Sequence, residues 1–150
     1  LVDPNRKNPF VYRQFLRTLE QINDGKDPVI LTLIYEWKMY REAGFAPIVN
    51  QCVSCGNPDE LKAFSVANGG VLCKNCLSAD PYAITLPEKI IKLMILFSFI
   101  EIDKIGDISV KKENKKILQQ IMEQYYDYHG GYYLKSKRFL NQLDQLSDSF

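Results

Sequence analysis

The sequence predicts a mainly α-helical fold, a bundle of about five helices interrupted by a small inserted ribbon with a short β-hairpin. Two observations carry that prediction. Apolar residues recur at helical spacing on both sides of the middle of the chain. The middle itself holds every cysteine, as Cys52-Val53-Ser54-Cys55 and Cys73-Lys74-Asn75-Cys76. The bulk numbers suit one ordinary globular unit: 150 residues, 46% hydrophobic, 25% charged, net charge +1. A charge so near zero argues neither for nor against nucleic acid; only local clustering could. No apolar run reaches the ~18 residues of a membrane span. Leu1 rather than Met opens the chain, so we expect part of a longer protein. The expected divisions are a first helical part over 1–49, the ribbon over 50–80 and a second helical part over 81–150.

The first helix is expected from Asn8 to Asn23, with Asn8 as cap, Pro9 in the first turn, and Val11, Phe15, Leu19 and Ile22 at helical spacing. Asp24-Gly25-Lys26-Asp27 breaks it. Asp27-Pro28 starts a second helix, and Gly44 ends it in the position just past the last turn. Its apolar set (Ile30, Leu31, Leu33, Ile34, Trp37, Tyr40) covers more than one stripe, which predicts burial on most sides and makes Trp37 a core residue. Pro87 opens a third helix, nearly continuously apolar from Ile90 to Ile100 and therefore expected to be the central, buried spine. Ser109 is the expected cap of a fourth, running to about Tyr128 with Ile117, Leu118, Ile121, Met122, Tyr125 and Tyr128 inward. Gly130-Gly131 ends it, and a last helix follows with Phe139, Leu140, Leu143 and Leu146 as its stripe.

The ribbon carries the sharpest chemistry. Seventeen residues separate two C-x-x-C pairs, a spacing that suits a metal site: each turn points two thiolates at one ion, and two turns complete a tetrahedral S₄ shell. Gly56 and Asn75 supply turn chemistry. Phe64-Ser65-Val66 and Val71-Leu72 read as strands joined through Asn68-Gly69-Gly70, and strand is expected only between Cys55 and Cys73. A disulfide framework would suit a secreted protein, and no leader pattern is present. A redox C-x-x-C needs a βαβ setting, which is missing. A catalytic zinc keeps an open position beside a general base, whereas the single histidine, His129, lies 53 residues past Cys76. We therefore expect one structural Zn²⁺ on Cys52, Cys55, Cys73 and Cys76, and His129 as a helix-end residue against carbonyls.

Two basic clusters remain. Lys111, Lys112, Lys115 and Lys116 stand at the start of the fourth helix, where cations oppose the macrodipole. Lys135, Lys137 and Arg138 open the last. Either cluster reads as a solvated face or as a contact for phosphates or an acidic partner.

Taken in order, these residues carry a resemblance. A helical pair ends in Ala43-Gly44-Phe45-Ala46-Pro47 and is followed by Cys52-Val53-Ser54-Cys55-Gly56. Then come Gly69-Gly70-Val71-Leu72-Cys73, Cys76 and finally Leu134-Lys135-Ser136-Lys137-Arg138-Phe139-Leu140. Over nearly its whole length the chain resembles the C-terminal part of the bacterial recombination mediator family RecO, in its zinc-bearing branch. The OB-fold that precedes this part in the family is not in the sequence. The resemblance implies a cytoplasmic, nucleoid-associated role in DNA repair and recombination after DNA damage, without catalysis. It implies binding of single- and double-stranded DNA, strand annealing, and work with RecR to load a recombinase. It also implies a contact with the acidic, phenylalanine-ended tail of the single-stranded-DNA-binding protein. For that tail Lys135, Lys137 and Arg138 are the candidates; for DNA, Lys111, Lys112, Lys115 and Lys116.

The rival reading is a zinc-ribbon interaction module of transcription or translation, in which the ribbon grips nucleic acid or protein. The ribbon's charges weigh against a phosphate grip: Lys62 and Lys74 face Asp59, Glu60 and Asp80, with no arginine. An enzyme is not expected, since no nucleophile–base pair or phosphate-cradling glycine loop stands out.

Overall fold

The computed structural model describes residues 9–106 and 108–130. The cap at Asn8 and the last helix with Lys135, Lys137 and Arg138 lie outside the described residues. Helix α1 spans Pro9–Asn23 and α2 spans Pro28–Glu42. The α2 boundaries follow from local chemistry. The Asp27 carboxylate accepts the Val29 N–H at 2.9 Å, Pro28 needs no amide partner, and Gly44 takes φ +87° just past the end. The ribbon follows, then α3 over Glu88–Phe99 and α4 over Lys112–Tyr125, which runs into a π-helical turn at Tyr126–Gly130.

Mainly helical architecture around a small sheet matches the expectation, but the spine is α2, not α3. Ile30, Leu31, Leu33, Ile34, Trp37, Lys38 and Tyr40 of α2 are buried. On α3 only Ile90, Ile91, Met94 and Phe97 are, while Phe99 is 63% exposed. The cause is position: α3 packs on α2, α4 and β1, and these leave one of its faces uncovered. Near-continuous apolarity marks composition, not the number of covered faces.

Strand β1 (Leu61–Ser65) pairs antiparallel with β2 (Gly70–Cys73), Phe64 opposite Val71, through the turn at 66–69. A third strand, β3 (Ile84–Thr85), lies on the other edge of β1, with Phe64 opposite Ile84. Ile48 adds a parallel bridge to Gly70. Strand is therefore not confined to the stretch between Cys55 and Cys73. A two-residue strand has no periodicity to read; pairing with β1 makes it.

Two expectations about α4 also fail. Ser109 is exposed and does not cap, because the helix starts later: Lys111 stands at the cap position without a side-chain bond. Lys115 secures the first turn instead, through an ion pair to Asp27 at 2.7 Å. At the other end Tyr128 is 61% exposed. The π turn breaks the 3.6-residue register, so the His129 ring turns inward and the Tyr128 ring outward.

One core joins bundle and ribbon. Trp37, Ile34, Met94, Leu118 and Met122 belong to the same buried cluster as Phe64, Val71 and Leu72 of the hairpin. Tyr125 sits at the seam, edge-on to Phe64 at 6.0 Å, with its hydroxyl donating to the Phe45 carbonyl.

Candidate metal centre

Each thiol is delivered by tight local backbone. In the first knuckle the Cys52 N–H donates to the Asn57 carbonyl at 2.7 Å and the Gly56 N–H to the Cys52 carbonyl at 2.8 Å. Gly56 needs the left-handed φ of +82° there. The Val53 N–H donates to Val71, stitching the knuckle to β2. In the second knuckle Cys73 ends β2 and starts a 3₁₀ helix, Lys74–Ala79, which carries Cys76. Lys74 is clamped to Glu60 twice, by its amide at 3.0 Å and its ammonium at 2.6 Å. That pairing leaves Lys62 as the only other ribbon cation, which deepens the case against a phosphate grip by the ribbon.

The four Sγ atoms all lie within 4.8 Å of one another, with Cys55 and Cys73 at 3.7 Å. Thiolates at ~2.3 Å from a tetrahedral ion stand about 3.8 Å apart, so this arrangement fits one metal ion. All four cysteines are free of disulfides. Cys52 and Cys73 are buried, Cys76 is half-buried and Cys55 exposed. Burial pushes the Cys52 thiol up, but the N–H groups of Cys73, Cys55 and Ser54 and the Cys55 thiol outweigh it and bring it to about 6. Cys76 moves the other way, to about 12, held protonated first by its hydrogen bonds to Cys55 and Cys73 and then by burial. So crowded a set cannot ionise fully by itself. A divalent cation is the partner that lets all four become thiolates, and an S₄ donor set is the chemistry of soft, tetrahedral metals.

The expected basic residues are less alike than the sequence implied. Lys111, Lys112 and Lys116 are exposed, whereas Lys115 is half-buried in its pair with Asp27. His129 meets a carbonyl, as expected, but that of Val66 in the hairpin turn rather than one of its own helix. Its ring also lies 4.5 Å from that of Tyr125. Sequence reading missed a third cationic group, Arg13, Arg17, Lys38 and Arg41, which α1 and α2 bring to one groove. The i,i+4 spacing of Arg13 and Arg17 was the available signal.

Fold and site together define a helical protein with an inserted ribbon that gathers four thiols into a set suited to one metal ion. The chain belongs to the family described as "Recombination protein O C terminal", which it matches over residues 1–138. Among similar proteins, the DNA repair protein RecO of Oceanobacillus iheyensis is 44% identical over 144 residues, covering 96% of this chain and 56% of that protein. The DNA repair protein RecO of Listeria monocytogenes is 38% identical over 143 residues, 95% of this chain and 56% of its own length. That of Bacillus subtilis is 36% identical over 144 residues, again 96% and 56%. The chain thus spans a little over half the length of these relatives. No solved structure matches it. No helix among the described residues is long and apolar enough to cross a membrane.

Proposed function

We propose that this chain is the zinc-bearing part of a non-enzymatic DNA repair and recombination mediator, acting in the bacterial cytoplasm at the nucleoid. The observation that carries the reading is its 44% identity, across 96% of its length, to a protein named for DNA repair. In this reading Cys52, Cys55, Cys73 and Cys76 hold one Zn²⁺ that closes the ribbon. The metal's contribution is structural, and the chain's own residues make the contacts. Single- and double-stranded DNA, RecR and the tail of the single-stranded-DNA-binding protein are the proposed partners. Lys135, Lys137 and Arg138 are assigned to the acidic tail, and Lys111, Lys112, Lys115 and Lys116 to DNA, Lys115 through a side chain that stays partly exposed beside Asp27.

Two charge-reversal variants test the assignments, one per cluster, each titrated with a tail peptide and with single-stranded DNA. Reversal at Lys135, Lys137 and Arg138 is expected to abolish peptide binding. Reversal at Lys111, Lys112 and Lys116 is expected to spare it while lowering the salt slope for DNA by about one per lost phosphate contact. Peptide binding untouched by the first variant removes that site.

A further inference from the structure

Helix α2 buries a cation that the core does not need. Lys38 is only 8% exposed, the one lysine or arginine buried to that degree among the described residues. Burial first, and Arg41 next, disfavour its charged form; Glu101 is the carboxylate that favours it. Lys38 lines a groove of about 400 Å³ between α1, the second half of α2 and the segment following α3. The groove holds four cations, Arg13, Arg17, Lys38 and Arg41, against two carboxylates, Glu101 and Asp103. Both carboxylates are partly committed: Asp103 pairs with Arg17, and Glu101 reaches Lys104 at 3.7 Å. Arg41 donates to the Ser98 carbonyl at the end of α3, a neutral partner, and makes no ion pair among the described residues. The walls therefore present Arg13, Lys38 and Arg41 with too little negative charge.

Two aromatic rings complete the groove. Phe99 is 63% exposed and Phe10 39% exposed, and both line it. Positive charge beside exposed ring faces is the composition that holds a strand of alternating phosphates and flat, unstacked bases. A duplex keeps its base faces stacked and could use only the cations. An apolar partner helix would leave the cations buried against it without counter-charge.

We propose that this groove binds single-stranded DNA, with a backbone phosphate at Lys38, Arg13 and Arg41 and an adjoining base stacked on Phe99. The inference rests on the proposed DNA role and gives it a site distinct from the start of α4. The test is fluorescence anisotropy of the full chain with a labelled oligothymidine of about twenty nucleotides across a salt series, for the parent and four variants. Lys38→Met and Arg13→Gln are each expected to weaken binding and reduce the salt slope by about one. Phe99→Ala is expected to weaken it about five- to a hundred-fold with the slope unchanged. Because Phe99 is mostly exposed, that variant should keep the parent's circular dichroism and stays informative even if Lys38→Met unfolds. Lys62→Glu, exposed on β1 and outside the groove, serves as the comparison and is expected to bind like the parent. Parent-like binding by Arg13→Gln and Phe99→Ala overturns the groove while leaving the wider DNA role standing. Groove variants that lose an acidic peptide but keep the oligonucleotide overturn it in favour of a protein partner. No oligonucleotide binding by the parent at low salt overturns both the groove and the DNA role of this chain.

Discussion

Gly70→Ala tests how the ribbon is seated. A Cβ at Gly70 would stand 2.3 Å from the Ile48 carbonyl oxygen and 3.1 Å from the Ile48 Cβ. Carbon and oxygen tolerate about 3.3 Å, so the Ile48 peptide must retreat by about 1 Å. Ile48 makes both hydrogen bonds of the bridge: its carbonyl oxygen accepts from the Val71 N–H and its N–H donates to the Gly69 carbonyl, each at 2.9 Å. A retreat of that size breaks them. Val71 is fully buried, so its orphaned N–H costs about 1–3 kcal/mol, while the bond on the exposed Ile48 side costs about 0.5–1.5. The stiffer unfolded chain returns about 0.4–1 kcal/mol. The net expectation is about 2 kcal/mol of destabilisation, within bounds of about 0.5–4. Gly69→Ala is the informative partner. It faces strain at φ +81° but only the Tyr125 hydroxyl at 3.9 Å, and should cost about 1 kcal/mol. Urea unfolding followed by Trp37 fluorescence gives both values. A Gly70→Ala protein within about 0.5 kcal/mol of the parent, or a larger loss for Gly69→Ala, refutes the steric reasoning.

Elemental analysis should find one zinc per chain. Cys52→Ser or chelation should strip amide-exchange protection from β1 and β2 while most helical ellipticity remains; loss of most of the ellipticity would overturn this order of dependence. Asp27 gives a pH signature. The Lys115 hydrogen bond first, then the Val29 amide, hold its carboxyl below the ordinary value of 3.8 against the opposing effect of burial. Its stabilisation is complete above that value and is lost as pH falls through the lower folded one. Asp27→Asn keeps the cap and should flatten this acid limb of stability. Asp27→Ala should cost about 1 kcal/mol more at neutral pH through the lost cap; an unaltered acid limb in Asp27→Asn would dismiss the pairing as a stabilising contact.

What could be read from the sequence was what neighbours in the chain decide. Two C-x-x-C turns gather thiols by local geometry, and Asp27-Pro28 and Gly44 set the ends of α2 by caps that reach only a few residues. What escaped depends on distant partners. Ile84-Thr85 is a strand only because Phe64 lies beside it. Lys115 looked like one lysine of a run, and only the fold brings it to Asp27, 88 positions away. Tyr128 points outward rather than inward because a π turn adds a residue to a register that periodicity takes as constant. The cationic groove draws on three elements, none of which is notable alone.

Phe64, Val71 and Leu72 lie on the hairpin, yet each is completely enclosed, and His129 reaches from the end of α4 to the hairpin turn. The ribbon is therefore not a portable cassette. Transplanted to another helix pair, it would carry an oily face into water and leave the Val66 carbonyl without its imidazole. Removal of the ribbon from its host would likewise strip one side from Tyr125. Attachment through side chains also divides the labour within the ribbon: the thiols close its two knuckles, while the apolar hairpin face and the histidine decide where it sits on the helices.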